Sequence, residues 1–375
     1  MKIAIDSRGV SWYKGTGIGT YTDNLLKAML ENNKEDYFHI FWSEDSCQDY
    51  KVNCKMIITS KKYHNFFEKE YFPAYIKEND IEIFHVPQNG IGLSQNISCK
   101  KIVTIHDLIP YLMPETVGKS YQLKFLKEMP YIISYSDAII TVSKESKKDI
   151  LRFFPIDEKK IHVIPLAADS KYKVLNKDKC RKILKAKFNI NKPFILYVGG
   201  FSPRKNLKSL IISFKKSMEQ LNKEYDLVLV GAQGDECEKI KLLSNELSIS
   251  NNVIFTGFIE ELYLPIFYNG CDLFTYPSSY EGFGLPPLEA MCCGAPVICS
   301  NSSSIPEVVG TGGILINTNE VEGLTKNIIM VLNNLELQNK LKEKAMQQSK
   351  NFSWKITAEK TLEVYKSINK PLSYS

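Results

Sequence analysis

Two glutamates, Glu281 and Glu289, stand on either side of a Gly-Phe-Gly turn and a proline pair in PSSYEGFGLPPLEAMCCGAPVICSN, residues 277–301. The proline pair fits the first turn of a helix, where a missing N–H has no intrahelical partner to lose. Gly294 suits a left-handed cap at the far end. Gly282, Phe283, Gly284 and Leu285 then lead into a helix N-terminus, whose unpaired N–H groups attract an anion, and the glycines let a phosphate approach the backbone closely. Carboxylates only accept hydrogen bonds and repel phosphate. Glu281 and Glu289 are therefore expected to grip hydroxyls, as on a ribose or a hexose, at the two ends of a diphosphate. Each has a plainer reading when taken singly: a solvated loop residue for Glu281, a helix-dipole partner for Glu289. The flanking glycines and prolines favour the ligand reading.

A second motif, YVGGFSPRKNLKSLI (197–211), ends an apolar run in Gly199-Gly200 and puts Arg204 and Lys205 at the expected start of a helix. Cations there oppose the helix dipole, so two of them suggest an anion held between, with a pair of exposed basic residues as the bland alternative. The chain contains no Asp-x-Asp triplet. Closely spaced carboxylates are a common way to hold a divalent ion on phosphates. No metal or other cofactor is expected here, with Arg204 and Lys205 supplying the charge neutralisation.

Signals in the first half are weaker. SRGVSWYKGTGIGTYTDNLL carries Gly15, Gly17 and Gly19, but Thr20 and Asp23 occupy the places where a dinucleotide fingerprint would close. A glycine loop touching phosphates and a flexible turn fit about equally well. KIVTIHDLIP ends a strand in His106-Asp107, and IFHVPQNG places His85 at another strand end, a lesser candidate. Strand carboxyl ends face ligands in doubly wound folds. The run KKYHNFFEKEYFPAYIK (61–77) could line an acceptor site or touch a membrane, though an ordinary amphipathic helix is the simpler account.

What must position these groups is an alternation of short apolar runs and longer amphipathic ones. Strands are expected at 2–6, 37–42, 55–59, 81–86, 101–107, 137–143 and 161–166, with helices at 18–31, 64–78, 119–135 and 144–153. The second half gives strands at 194–199, 226–231, 252–257, 272–277, 295–300 and 313–317, with helices near 205–221, 235–248, 285–293 and 320–333. This pattern predicts parallel sheets covered on both faces. The polar, lysine-rich stretch 167–180 reads as the boundary. An α/β chain of two doubly wound, Rossmann-like domains facing across a cleft follows: 1–170 on the acceptor side, 171–352 on the donor side, and a helix in 353–375 crossing back to the first domain.

The chain has 375 residues and a formal net charge of +6, with its lysines scattered, so nucleic acid is not indicated. No run reaches the length of a membrane span. The start, MKIAIDSRGV, lacks the apolar core of a secretory signal. Nine cysteines without ligand spacing, with Cys292 and Cys293 in an apolar run, read as small buried residues in a reduced, cytoplasmic protein.

Together, GGFSPRKN, PSSYEGFGLPPLEAMCCGAPV and SSIPEVVG resemble the retaining glycosyltransferases of family 4, with the GT-B fold, and TGIGTYTDNLL and IHDLIP match first-domain positions of the same family. The opening IDSRG…TGIGTYT and the GGFSPRKN form look most like the bacterial mannosyltransferases that build O-antigens and other surface polysaccharides. The resemblance implies that Arg204 and Lys205, beside Gly200, bind the donor diphosphate. It also implies that Glu281 binds donor-sugar hydroxyls and Glu289 the ribose. The N–H groups of Phe283, Gly284 and Leu285 would contact phosphate and sugar, and Gly17 and Gly19 would approach the diphosphate from the first domain. His106 would sit near the reacting sugar, and the backbone from Gly257 to Ile259 would border the base. The implied reaction moves a hexose, mannose from GDP-mannose by preference, to a glycan or lipid-linked acceptor with retention, the departing phosphate oxygen assisting the acceptor. UDP-linked hexoses and N-acetylhexosamines stay open as donors. So do a sugar-nucleotide epimerase or phosphorylase and a non-catalytic nucleotide-sugar-binding subunit. Peripheral attachment to the inner face of the membrane, through a lipid-linked acceptor, is compatible with this reading.

Overall fold

A computed structural model describes residues 1–43, 53–232, 235–318 and 320–369. Residues 370–375, the end of the expected last segment, lie outside the described residues. The chain divides into two compact units, Met1–Ala167 with Phe352–Ser375, and Ala168–Asn351.

In the first unit the strands are β1 (Lys2–Asp6), β2 (Tyr37–Ser43), β3 (Cys54–Thr59), β4 (Ile83–Val86), β5 (Lys100–Ile105), β6 (Ala138–Thr141) and β7 (Ile161–Val163). They pair in parallel in the order β3-β2-β1-β4-β5-β6-β7. The central strands are apolar on both faces, and Ile3, Ile5, Phe84, Val103 and Ile139 are all essentially inaccessible. That is what a sheet sandwiched between helices requires. Strand order reverses between β1 and β4. The carboxyl ends there form the crevice at which doubly wound sheets bind ligands.

The second unit repeats the plan with β8 (Phe194–Val198), β9 (Asp226–Val230), β10 (Val253–Gly257), β11 (Leu273–Tyr276), β12 (Val297–Ser300) and β13 (Ile314–Ile316). The order is β10-β9-β8-β11-β12-β13, again all parallel, with its reversal between β8 and β11.

Several expectations needed correction. The stretch expected as one helix over 64–78 is interrupted by a π-helical turn at Phe67–Tyr71, a rare feature that periodicity does not announce. Part of the expected boundary 167–180 is helical, because Asn176 caps Lys177–Phe188 by accepting from the Lys179 N–H. Gly17 and Gly19 are not in a loop: they form the first turn of the helix Gly17–Asn32, behind the cap Thr16. A Cβ on Gly19 would lie 2.4 Å from the Tyr13 carbonyl oxygen, so local packing already requires glycine there. The helices Leu264–Gly270, Ile305–Val309 and Leu335–Ser349 were not anticipated. None of the described helices is long and apolar enough to cross a membrane.

His85 is a core pin. Its Nδ1 meets the Tyr365 hydroxyl at 2.6 Å and its Nε2 meets Thr104 Oγ1 at 2.8 Å, and the residue is fully buried. Tyr365 lies on the helix Trp354–Ile368, which this bond ties to the first sheet. Burial holds His85 at about 3 and His106 at about 4, both below the ordinary 6.5. The unfolded chain therefore takes up these protons below about pH 6.5 while the folded chain does not. Their contribution to first-unit stability is complete above that pH and shrinks as pH falls toward 4. Tyr365→Phe should cost about 1–3 kcal/mol by stranding a buried nitrogen, seen as a lower Tm at pH 7.5. Scans from pH 7.5 to 4.5 should show the acid loss.

Candidate active site

The carboxyl ends of β8 and β11, at the reversal of the second sheet, carry the two motifs singled out in the sequence. After β8 the chain makes the Pro203–Lys205 turn, so Arg204 and Lys205 sit before the helix Leu207–Met218 and not in its first turn. Asn206 separates them from it with φ +54°, a left-handed conformation that asparagine tolerates, and its amide donates to the Thr318 carbonyl at 2.7 Å. After β11, Ser278 and Ser279 fold back on this turn. The Arg204 carbonyl accepts from the Ser279 N–H at 2.7 Å and from the hydroxyls of Ser278 and Ser279 at 3.2 and 2.9 Å. The serines of PSSYEG thus hold the SPRKN turn.

Glu281 is the centre of this arrangement. Its Oε1 receives Lys205 Nζ at 2.5 Å, Arg204 Nη1 at 2.9 Å, the Ser278 hydroxyl at 2.6 Å and the Tyr276 hydroxyl at 3.0 Å. Lys205 also donates to the Tyr276 hydroxyl at 2.6 Å. Arg204 Nη1 donates in addition to the Tyr280 carbonyl at 2.9 Å. Glu281 and Lys205 are both buried, 9% and 7% exposed. Burial alone would raise the Glu281 pKa, but the charges of Lys205 and Arg204 and the bonds from Lys205 and Ser278 outweigh it and hold the group at about 2. All four donors converge on Oε1, and none of these bonds uses Oε2.

The loop from Glu281 to Gly284 is held from behind by the segment after β12. Ser303 Oγ donates to the Glu281 carbonyl at 2.6 Å, and Ser304 Oγ reaches the Glu281 and Phe283 carbonyls at 2.8 and 2.7 Å. Gly284, at φ +122°, opens the helix Leu285–Cys292, and no side chain caps it. Pro286 and Pro287 fill its first turn, so the amides of this entry lie before them.

Glu289 belongs to a separate hydrogen-bonded group on the same helix. Its Oε2 accepts from the Tyr268 hydroxyl at 2.8 Å. It is half-buried, and that burial raises its pKa to about 7, against the partial relief given by Tyr268, Lys171 and Tyr172.

Of the remaining expected residues, Gly200 faces open space. A Cβ there would meet no atom of the described residues within 4 Å, its chain neighbours aside, so packing among the described residues does not explain the glycine. Its carbonyl accepts from the Tyr197 hydroxyl at 2.9 Å. Gly257 ends β10 at φ +71°, and Ile259 is buried beside it.

In the first unit His106 lies at the end of β5. Its Nε2 is 3.0 Å from the Pro87 carbonyl and must donate to it, and its backbone N–H donates to Asn89 Oδ1 at 2.8 Å. The Tyr21 ring packs edge-on against it at 4.8 Å. Because burial keeps the ring neutral above about pH 4, Nδ1 remains an acceptor. This is a neutral hydrogen-bonding imidazole and not a proton store near neutrality.

Sequence reasoning missed Arg8, just beyond β1. Its Nε and Nη2 bond Asp6 at 2.7 and 2.6 Å, and Nη2 also reaches Glu68 at 3.1 Å. Gln88, which follows β4, donates to the same Asp6 carboxylate at 2.7 Å. The signal was available: a cation and an anion two residues apart at the end of the first strand.

The family 4 glycosyltransferase model matches residues 15–172, and the model of group 1 glycosyl transferases matches residues 180–348. These residues, on two parallel-sheet units of the GT-B type, define a glycosyltransferase class. The chain belongs to the glycosyltransferases of family 4. It is 31% identical over 71% of its length to the O-antigen chain mannosyltransferase B of Escherichia coli, covering 70% of that protein. It is 29% identical over 97% of its length to the serotype-specific mannosyltransferase WbdA of Escherichia coli, of which it spans about half, 48%. Among solved structures, HepE of Anabaena in complex with UDP and glucose superposes with a TM-score of 0.76 at 17% identity, over 98% of this chain and 100% of that one.

Glu281→Gln should destabilise the second unit by about 3–5 kcal/mol, the range for breaking a buried ion pair, measured as a drop in the urea midpoint of that unit. Glu289 acts in the opposite sense. The folded chain holds its proton up to about pH 7 and the unfolded chain releases it near 4.5, so second-unit stability falls as pH rises through that window. Glu289→Gln should flatten that slope in a pH series of thermal scans.

Proposed function

We propose that the chain transfers a hexose, mannose from GDP-mannose by preference, from a nucleotide diphosphate sugar to a hydroxyl of a glycan or lipid-linked acceptor in surface-polysaccharide synthesis. The observation that carries this reading is the gathering of Arg204, Lys205 and Glu281 at the reversal point of the second sheet. Both cations are fixed on one oxygen of Glu281, which stands three residues before the helix entry at Gly284. Such a group can take a diphosphate against the cations and amides while the second carboxylate oxygen accepts from a sugar hydroxyl. Glu289 would hold the ribose, and the backbone from Gly257 to Ile259 would border the base. The mannosyltransferase relatives favour mannose. The HepE complex with UDP and glucose keeps a UDP-hexose as the second reading.

In the transfer, the bond from the anomeric carbon to the diphosphate oxygen breaks and the nucleotide leaves with the electron pair. The acceptor oxygen bonds to the same carbon, and its proton passes to the departing phosphate oxygen. Arg204, Lys205 and the helix entry stabilise the charge gathering on the diphosphate. Both cations are bound to one oxygen of Glu281, and the scheme assigns no carboxylate nucleophile for a double displacement. A one-face reaction with retention is the course that the family resemblance implies. In the first unit His106 offers Nδ1 as an acceptor for a hydroxyl. No metal is required in this scheme.

A panel of nucleotide sugars tests the donor: the true one at a hundred times its Kd should stabilise the fold by about 2.7 kcal/mol. Turnover with that donor and a glycan acceptor should survive EDTA and give a product with the anomeric configuration of the donor. Lys205→Ala and Glu281→Ala should each lower kcat/KM by about a hundred-fold or more, the scale of a lost transition-state donor. Full turnover in both variants, or dependence on a divalent ion, would contradict the scheme.

A further inference from the structure

The glycine motif TGIGTYT carries a residue that the transfer chemistry above does not use: Tyr21, in the second turn of the helix Gly17–Asn32. Its side chain is wholly buried. Its ring meets the His106 imidazole at 4.8 Å, with the two planes 86° apart. Such a T-shaped pair is one of the arrangements that aromatic rings favour.

His106 needs a neighbour of this kind. Its backbone is fixed, because its N–H donates to Asn89 Oδ1 at 2.8 Å and its carbonyl accepts from the Ser146 hydroxyl at 2.9 Å. The ring is held less completely. Among the described residues its hydrogen bond runs from Nε2 to the Pro87 carbonyl, at 3.0 Å. One bond at Nε2 holds a point and not a plane, and the χ2 torsion of histidine is broad. The direction in which Nδ1 faces then depends on what packs against the imidazole, and Tyr21 packs there.

Tyr21 is itself tied down at its hydroxyl. That group lies 3.0 Å from Thr104 Oγ1, which lies 2.8 Å from His85 Nε2, and His85 Nδ1 lies 2.6 Å from the Tyr365 hydroxyl. All four side chains are fully buried. Burial keeps His85 neutral and both phenols protonated. A neutral imidazole donates from one nitrogen and accepts at the other. The protons therefore all run one way, from Tyr21 through Thr104 and His85 to Tyr365 or in reverse. The Tyr21 hydroxyl is one end of a line whose bonds support one another.

The other end is the helix Trp354–Ile368. Trp354 and Tyr365 stand about three turns apart on it and so share a face. The Trp354 ring lies 6.0 Å from the Tyr21 ring. The last helix thus reaches Tyr21 twice, ring to ring and through the relay.

We propose that Tyr21 is a positioning residue: its ring sets the plane of the His106 imidazole, and the hydroxyl relay to the last helix fixes that ring. The effect on turnover rests on the reading of His106 above as an acceptor for a hydroxyl in the transfer. The effect on the imidazole does not.

The test is nitrogen NMR of the intact chain labelled at its five histidines, near pH 7.5, with the His106 ring resonances identified by their loss in His106→Gln. The native chain should show the Nε2–H tautomer at His106. Tyr21→Phe keeps the ring and cuts the relay, and should move the His106 ring resonances. Tyr21→Leu removes the ring as well and should move them further. In steady-state transfer Tyr21→Leu should lower kcat about ten-fold or more with the donor KM changed less than about three-fold, the pattern of a misplaced group that acts in the transition state. Tyr21→Phe should fall between. A role in stability alone would lower the Tm of both variants and leave the His106 resonances in place. That result, in Tyr21→Phe by itself if Tyr21→Leu fails to fold, would overturn the proposal. Resonances that move while kcat holds would uphold the positioning and count against the part given to His106 in the transfer.

Discussion

An ionised carboxylate that is almost wholly out of water has to be matched by fixed positive charge, and in the second unit that constraint organises everything around Glu281. Two cations, a serine and a tyrosine converge on one of its oxygens. Desolvation of a lone carboxylate would push its pKa up by units, and removing either cation would leave charge stranded in the protein. The cost explains the surrounding structure. The serines after β11 stitch the Arg204 carbonyl in place, and Asn206 takes a left-handed turn so that the cations precede the helix. The Ser303–Ser304 hydroxyls hold the loop carbonyls behind the acid. The result is a pair of positive groups held in place by one buried acid.

The first unit solves a similar problem at the matching point of its own sheet. Asp6 and Arg8 follow β1, Gln88 follows β4, and strand order reverses between them. There, too, an ion pair is removed from water and packed on aromatic rings. The two units use one topological device, the gap between diverging crossovers, with opposite polarity. In one a carboxylate is the hub and cations surround it. In the other a guanidinium is the hub and carboxylates surround it.

The parallel sheets were readable because their strands are apolar on both faces, and most expected strands lie within a few residues of the observed ones. The Glu281–Glu289 stretch was readable because prolines and glycines fix backbone geometry locally. What escaped notice depends on contacts distant in sequence. Nothing local says that His85 is consumed by Thr104 and Tyr365, which lies 280 positions away. Nor does anything local reveal that Gly19 makes room for a carbonyl, or that Glu68 is held by Arg8. The π-helical turn at Phe67–Tyr71 was invisible for a different reason: its apolar spacing is close enough to that of an α-helix for periodicity to pass over it. Arg204 and Lys205 were identified for a reason that proved incomplete. They do not oppose a helix dipole directly, and their placement is justified by the buried acid between them.

On the proposed reading, Arg204 and Lys205, fixed by Glu281, meet a diphosphate. Calorimetric titration with a nucleoside diphosphate and the corresponding monophosphate, of whichever base the donor carries, tests it most directly. The native chain should prefer the diphosphate by about ten-fold or more, the worth of one charge-assisted hydrogen bond, and Lys205→Ala should erase the preference while still binding the monophosphate. Equal affinity for both nucleotides in the native chain, or a preference that survives Lys205→Ala undiminished, would contradict it.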